Sequence, residues 1–290
     1  MITLSNGHRF EYMVPSGGLA YGKGWLWERP LVALGLIKPE LFTVVIKTLT
    51  RHRRVGNLRW WKPWGCVRLI PGGSVNKVGL TNPGIEWWCE KATPGLDFLK
   101  VRLTGSIFGD EEELVEMAKM LNAFHLAALE VNVSCPNTGH AIEVAETVVR
   151  TVKAVEAVSR HPIIVKVSVD QDYMAITCGL EGFAEAVSFN SVPWVIAFPG
   201  QRSPLWRLDK KVGGGGGGVS GKPAQKYNWP AIHAVAMQCS MPVIGSSVME
   251  FEDIARLRDL GASAVSFGAI HLRTPWKPTS LVIRDMEFKV

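Results

Sequence analysis

Residues 130–139 read Glu-Val-Asn-Val-Ser-Cys-Pro-Asn-Thr-Gly, and the rest of the chain is organised around them. A mainly apolar run over 126–133 carries Asn132 at its end; three residues later Cys135 is fixed by Pro136 and followed by a second amide, Asn137. That order puts a thiol at the mouth of a strand, between two amides that each donate and accept. Such a thiol can move a proton on a ligand that the amides hold. The other meaning of Ser-Cys-Pro-Asn is a strand end with a Pro turn and a small buried cysteine.

Outward from this stretch, apolar strands alternate with segments of helical period. Strands are predicted over 10–14, 42–47, 98–103, 127–133, 163–168, 193–198, 242–245 and 264–268. Helical spacing runs through 111–124, 141–159, 179–187, 229–238 and 250–260, with acidic first turns after Asp110 and Met249. Eight β/α units in 290 residues predict a single (β/α)8 barrel over 1–290, an open doubly wound sheet being the alternative.

In a barrel the chemistry sits at the C-terminal ends of the strands. There the predicted strands run into Pro15-Ser16-Gly17-Gly18, Lys47-Thr48, Asn132 and Cys135, Lys166-Val167-Ser168, Gly245-Ser246-Ser247 and Gly268-Ala269. Polar, small and cationic groups therefore gather at one rim. Two insertions flank it. Residues 51–82 mix arginines with tryptophans, which fits either a nucleic-acid surface or a cap over a barrel end. Residues 205–227 hold six consecutive glycines, either a linker or a loop whose N–H groups approach a cofactor; GxxxxGK[ST] is absent.

Composition sets the outer bounds. The chain is 47% apolar and 20% charged, as globular proteins are. No uncharged apolar run is long enough to cross a bilayer and no signal peptide opens the chain, so a cytoplasmic protein without a membrane partner is expected. Five cysteines with no CxxC pair predict neither a disulfide framework nor a metal site. The net charge of +6 suits an anionic cofactor and substrate as well as it suits nucleic acid.

Six blocks, VNVSCPNTG, GSVNKVGLTNPG, VIKTLTRHRRVGN, IIVKVS, GGVSGKP and PVIGSS…GASAVSFGA, make the chain resemble the dihydroorotate dehydrogenases. These are FMN-dependent barrels of pyrimidine synthesis, and the resemblance covers nearly the whole chain. It implies an FMN oxidoreductase that converts dihydroorotate to orotate, with Cys135 as base, as in the soluble class. It implies that Asn132 and Lys47 touch flavin and substrate. Asn76, Gly79, Leu80 and Asn137 would hold the substrate. Lys166, Ser16, Gly17, Thr48, Ile196 and Gly221 would line the flavin, and Ser246, Ser247, Gly268 and Ala269 would take its phosphate. A homodimer or an electron-transfer subunit is the implied assembly, with no nucleic acid.

Four departures from the family pattern stand out, one of them a shortened cysteine loop after Cys135. The amide and hydroxyl expected after strand six fall on Ala197-Phe198-Pro199, an asparagine after strand three falls on Arg102, and a Gly-Gly turn becomes Ser246-Ser247. On the departure after strand six, an FMN enzyme for another cyclic amide or ene substrate is the alternative. A silent barrel that binds a phosphorylated ligand is the other.

Overall fold

The computed structural model describes residues 1–59, 61–134, 144–212 and 214–289. Eight parallel strands close into a barrel: β1 Tyr12–Val14, β2 Thr43–Val45, β3 Arg102–Ile107, β4 Ala128–Asn132, β5 Ile163–Val167, β6 Ala186–Phe189, β7 Val243–Gly245 and β8 Ala264–Ser266. Each pairs with the next in sequence, and Tyr12 of β1 registers with Val265 of β8 to close the ring. The (β/α)8 architecture expected from the alternation is therefore the one present.

Two placements differ from expectation. The third strand begins at Arg102, because Asp97 accepts from the N–H groups of Leu99 and Lys100 and holds the apolar 98–101 segment in a turn. Arg102 thus opens β3 at the bottom of the barrel instead of ending it at the rim. The sixth strand is Ala186–Phe189, not 193–198; the helix expected over 179–187 is displaced to Tyr173–Gly179. Val192–Pro193 instead pairs antiparallel with Gly218–Gly221, and Trp194–Ala197 is a helical turn that Pro193 can enter because it needs no N–H there.

A second, four-stranded antiparallel sheet runs in the order Val192–Pro193, Gly218–Gly221, Gly73–Asn76 and Val67–Ile70. It joins the two insertions into one structure at the C-terminal end of the barrel. Here the glycine run is needed for close approach. Gly217 has φ of 97°, and a Cβ would lie 2.6 Å from the Asn76 carbonyl oxygen.

Strand periodicity makes the barrel interior in layers. The N-terminal hairpin, with Ile2, Leu4 and Phe10, plugs the bottom against Met13, Val45, Ala128, Ile164, Ala186, Ile244 and Ala264. Two residues past Val45, Ala128, Ile164, Ala186, Ile244 and Ala264, the inward positions turn polar, as Lys47, Glu130, Lys166, Ser188, Ser246 and Ser266, and β3 adds Ser106, all buried. One layer is apolar core and the next is the floor of a site. The larger apolar cluster lies between the strands and the surrounding helices.

The described cysteines depart from expectation. Cys178 and Cys239, 61 residues apart, form a disulfide between the end of helix Tyr173–Gly179 and the C-cap of helix Lys222–Gln238. Local spacing carries no signal for so distant a pair. No helix of the described residues is long and apolar enough to cross a membrane.

The C-terminal helix Lys277–Glu287 is tied down through Asp285, which accepts from Tyr12 and from both Nη atoms of Arg258, at 2.8 and 2.6 Å. Burial raises the Asp285 pKa, but the hydrogen bonds and charge of Arg258, with Tyr12 and Lys289, more than offset it and hold the carboxyl below its usual value. A depressed carboxylate contributes stability that is present above the unfolded pKa of about 3.9 and is lost as pH falls through the folded value. Asp285→Asn is therefore expected to lower unfolding free energy at pH 7 by about 1 to 3 kcal/mol. Urea melts of parent and variant should converge as pH drops below about 4; an undiminished gap would count against the ion pair as its source.

Candidate active site

A cleft of about 370 Å³ opens at the C-terminal ends of the strands. That is the lower part of the size range of small-molecule sites. Its floor is the polar layer. Lys166 Nζ donates to Glu130 Oε1 at 2.6 Å, and Ser106 Oγ donates to the same oxygen at 2.8 Å. Thr48 Oγ1 lies 2.9 Å from Ser106 Oγ, and Ser16 Oγ lies 2.9 Å from Thr48 Oγ1. An ionised carboxylate only accepts, so Glu130 orients the row: Ser106 gives its proton to Glu130, Thr48 to Ser106, and Ser16 to Thr48. A hydrogen-bonded chain thus crosses the first five strands, ending on a buried ion pair. Glu130 Oε2 is buried without a partner among the described residues.

Above this floor, Asn132 accepts from the N–H and Oγ of Ser134, at 3.2 and 3.0 Å. Those bonds identify its oxygen and leave its NH2 group for a ligand. Asn190, directly after β6, donates to the Ser134 carbonyl at 3.0 Å and accepts from the Ser191 N–H at 2.8 Å. It thereby braces the residue that precedes Cys135. Asn76 enters from the second sheet and Lys47 from the end of β2; both line the cleft with Gly79 and Leu80.

The opposite wall is built on Glu28 and His271, each 3% exposed at the side chain, with Glu28 Oε1 2.9 Å from His271 Nε2. Glu28 Oε2 accepts from the Trp25 N–H at 2.7 Å, and Trp25 Nε1 donates to the Gly17 carbonyl at 3.0 Å. The loop after β1 is thus strapped to the helix that follows β8.

The rim after β7 is held from helix Lys222–Gln238. Asn228 donates to Ser246 Oγ at 3.0 Å, Trp229 Nε1 to the Ser246 carbonyl at 3.0 Å, and Gln225 to the Ser247 carbonyl at 3.0 Å. Ser247 sits at φ of 70°, the left-handed region that favours glycine. Ser247→Gly is expected to raise unfolding free energy by about 0.5 to 1 kcal/mol, the strain relieved less the entropy of glycine. Urea denaturation checks it, and a destabilised variant would mean that the side chain supports the turn.

Of the residues singled out from sequence, Ser16, Gly17, Lys47, Thr48, Asn76, Gly79, Leu80, Asn132, Lys166, Ser246, Ser247, Gly268 and Ala269 all line this one cleft. Ile196 and Gly221 do not. Ile196 packs against the core under the second sheet, and Gly221 closes the strand Gly218–Gly221 against Gly73. Cys135 and Asn137 lie outside the described residues.

The departures at Ala197-Phe198-Pro199 and at Arg102 have a structural answer. Asn190 and Ser191, not Ala197 and Phe198, follow the sixth strand and line the cleft, so an amide and a hydroxyl are present there after all. Arg102, at the barrel bottom, faces no ligand at the rim. Sequence inspection also passed over Glu130, Ser106, Asn228, Glu28 and His271. For Glu130 the signal was available: a carboxylate inside an apolar strand, two residues before Asn132.

A family model described as dihydroorotate dehydrogenase matches residues 32–287. The chain belongs to the dihydroorotate dehydrogenase family. It is 31% identical over 280 residues to the catalytic subunit of dihydroorotate dehydrogenase B (NAD(+)) of Geobacillus kaustophilus, covering 91% of this chain and 82% of the relative. It is 32% identical over 247 residues to dihydroorotate dehydrogenase A (fumarate) of Lactobacillus delbrueckii subsp. bulgaricus, covering 80% and 76%. Its fold matches the ligand-free DHODH of Eimeria tenella with a TM-score of 0.71 at 14% identity, over 97% of this chain and 85% of that one. Family membership makes the chain an oxidoreductase acting on a CH–CH bond.

Proposed function

We propose that this chain is an FMN-dependent dihydroorotate dehydrogenase, a single catalytic barrel in which Cys135 is the base. The observation that carries this is the convergence of Lys47, Asn76, Asn132, Lys166 and Asn190, from five separate elements, on one cleft. Asn190 and Ser191 after β6 put an amide and a hydroxyl on the cleft wall, which supports dihydroorotate over a different cyclic substrate.

The residues present fit a phosphorylated flavin. The floor offers two buried ammoniums, Lys47 and Lys166, and the rim after β7 and β8 offers two hydroxyls and a glycine, Ser246, Ser247 and Gly268. Asn228 Oδ1, buried beside Ser246, has no donor among the described residues. Lys166 and Asn132 would hold the ring system and the Ser246, Ser247, Gly268 and Ala269 rim the phosphate. Bound FMN supplies the hydride acceptor.

The chain's own residues do the rest. Asn76, Asn132, Asn137 and Asn190 orient the substrate's carbonyl, ring N–H and carboxylate groups, Lys47 adds a positive charge beside them, and Cys135 removes the acidic proton next to the ring carbonyl. Burial pushes Cys66 and Cys89 each up to about 11, and Cys178 and Cys239 are joined, so no described cysteine is a thiolate near neutral pH. The electrons then leave to fumarate or, through a second subunit, to NAD(+), the acceptors of the two named relatives. The test is stopped-flow: protein loaded with FMN should bleach on mixing with dihydroorotate and not with dihydrouracil, which lacks the carboxylate. Failure to bind FMN, or failure to bleach with dihydroorotate, overturns the assignment.

A further inference from the structure

Charge is unevenly distributed along this chain. Residues 51–82 contain seven of its 32 lysines and arginines and none of its 26 aspartates and glutamates. That insertion therefore carries +7, and the rest of the chain nets −1. The first half of the insertion folds around a groove of about 760 Å³ beside the cleft, and no carboxylate lines it among the described residues.

The cations of the groove differ in what they are committed to. Arg51, just outside, is spent on Glu86 and Glu116 at 2.9 and 2.7 Å. Arg59 donates to the carbonyls of Val55, Gly56 and Leu58. Arg53 and Arg54 line the groove, and neither side chain makes an ion pair or hydrogen bond among the described residues. Around them stand aromatic faces: Trp61 is 59% exposed and Trp87 40%, the latter set edge-on against Tyr21 at 5.4 Å. Guanidinium forks match phosphate oxygens two by two, and indole faces stack on planar heterocycles. The pairing of two uncommitted arginines with two exposed indoles is what a phosphorylated heteroaromatic molecule needs.

We propose that this groove is a nucleotide site, in which Arg53 and Arg54 hold a phosphate and Trp61 or Trp87 stacks on the base. It is separate from the rim assigned to the FMN phosphate, because Ser246, Ser247, Gly268 and Ala269 are not among its walls. Trp25, Lys47 and Leu58 line both groove and cleft. An occupant therefore stands at the mouth of the cleft and competes with substrate, a consequence that rests on the function proposed above, whereas binding itself does not.

The experiment uses FMN-loaded protein, so that the cleft is already filled, and isothermal titration with UMP, AMP, uridine, inorganic phosphate and a short single-stranded DNA. One of the two nucleotides should bind saturably, with uridine and phosphate each at least about tenfold weaker, since each lacks half of the recognition. The two nucleotide arms decide between pyrimidine and purine. Arg53→Ser/Arg54→Ser should weaken nucleotide binding by about tenfold or more while FMN affinity stays at the parent value. In turnover, the nucleotide should raise KM for dihydroorotate and leave kcat unchanged. The proposal is overturned if neither nucleotide binds, if inorganic phosphate or DNA binds as well as the nucleotide, or if the double substitution has no effect. Binding without any effect on KM overturns the competition. Absence of turnover with binding intact would indict the oxidoreductase assignment, not the groove.

Discussion

Cys135→Ala is expected to slow the reduction of bound FMN by dihydroorotate by about 10²- to 10⁴-fold, the usual contribution of a positioned general base. FMN affinity should not change, because the substitution leaves Asn132, Lys166 and the rim after β7 and β8, the residues assigned to the cofactor, intact. Cys135→Ser should retain part of the activity and need higher pH, since a hydroxyl occupies the same place as a poorer base. The stopped-flow traces across a pH series separate these outcomes. A Cys135→Ala protein that reduces its flavin at the parent rate would make the cysteine a structural residue at a strand end. The bracing of Ser134 from two sides, by Asn132 and by Asn190, gives this expectation its structural footing. It fixes the chain one residue before the thiol.

Glu130→Ala is expected to destabilise the protein by about 3 to 5 kcal/mol, because it leaves the Lys166 ammonium buried without its counter-charge. Lys166 is 6% exposed and Glu130 fully buried, so water cannot replace the lost partner without opening the barrel floor. The same change removes the acceptor at the end of the Ser16–Thr48–Ser106 row. The double variant Glu130→Ala/Lys166→Met should recover a substantial part of the loss, since a neutral side chain of similar length has nothing to pair. Urea denaturation of the four proteins gives the coupling free energy. Strict additivity would mean that the two charges do not sense each other, contrary to their 2.6 Å separation.

How much of this was legible in the sequence depended on whether local pattern or distant pairing decides each element. The β4 segment was legible because its short, mainly apolar run up to Asn132 is followed by the Ser-Cys-Pro-Asn turn residues, and its rim position followed from barrel geometry. The third strand was misplaced by four residues, since the turn around Asp97 outweighs the apolar character of 98–101. The sixth was misread because Ala186–Phe189 is short and follows a stretch that can be read with helical period, while Val192–Pro193 is drawn into a sheet whose other strands lie 25 and more than 100 residues away. That one error concealed Asn190 and Ser191 and created an apparent gap on the substrate side. The Glu130–Lys166 pair could not be read locally either. It depends on the β4/β5 register, with Glu130 opposite Ile164, which sets Lys166 one pleat higher.

The closure of the barrel between Tyr12 and Val265 has a consequence for how the molecule comes into being. The first strand finds its second neighbour only after some 250 residues of chain have been made. Until then the polar floor has two ragged edges, and the Glu28–His271 strap, which spans the same gap, cannot form. A nascent chain paused before β8 would expose the unpaired flanks of β1 and β7 to any neighbouring polypeptide, so most of the sequence order of the contacts is paid back in one late step. Ligand affinity in this protein is therefore a property that the ribosome delivers all at once, with the last strand.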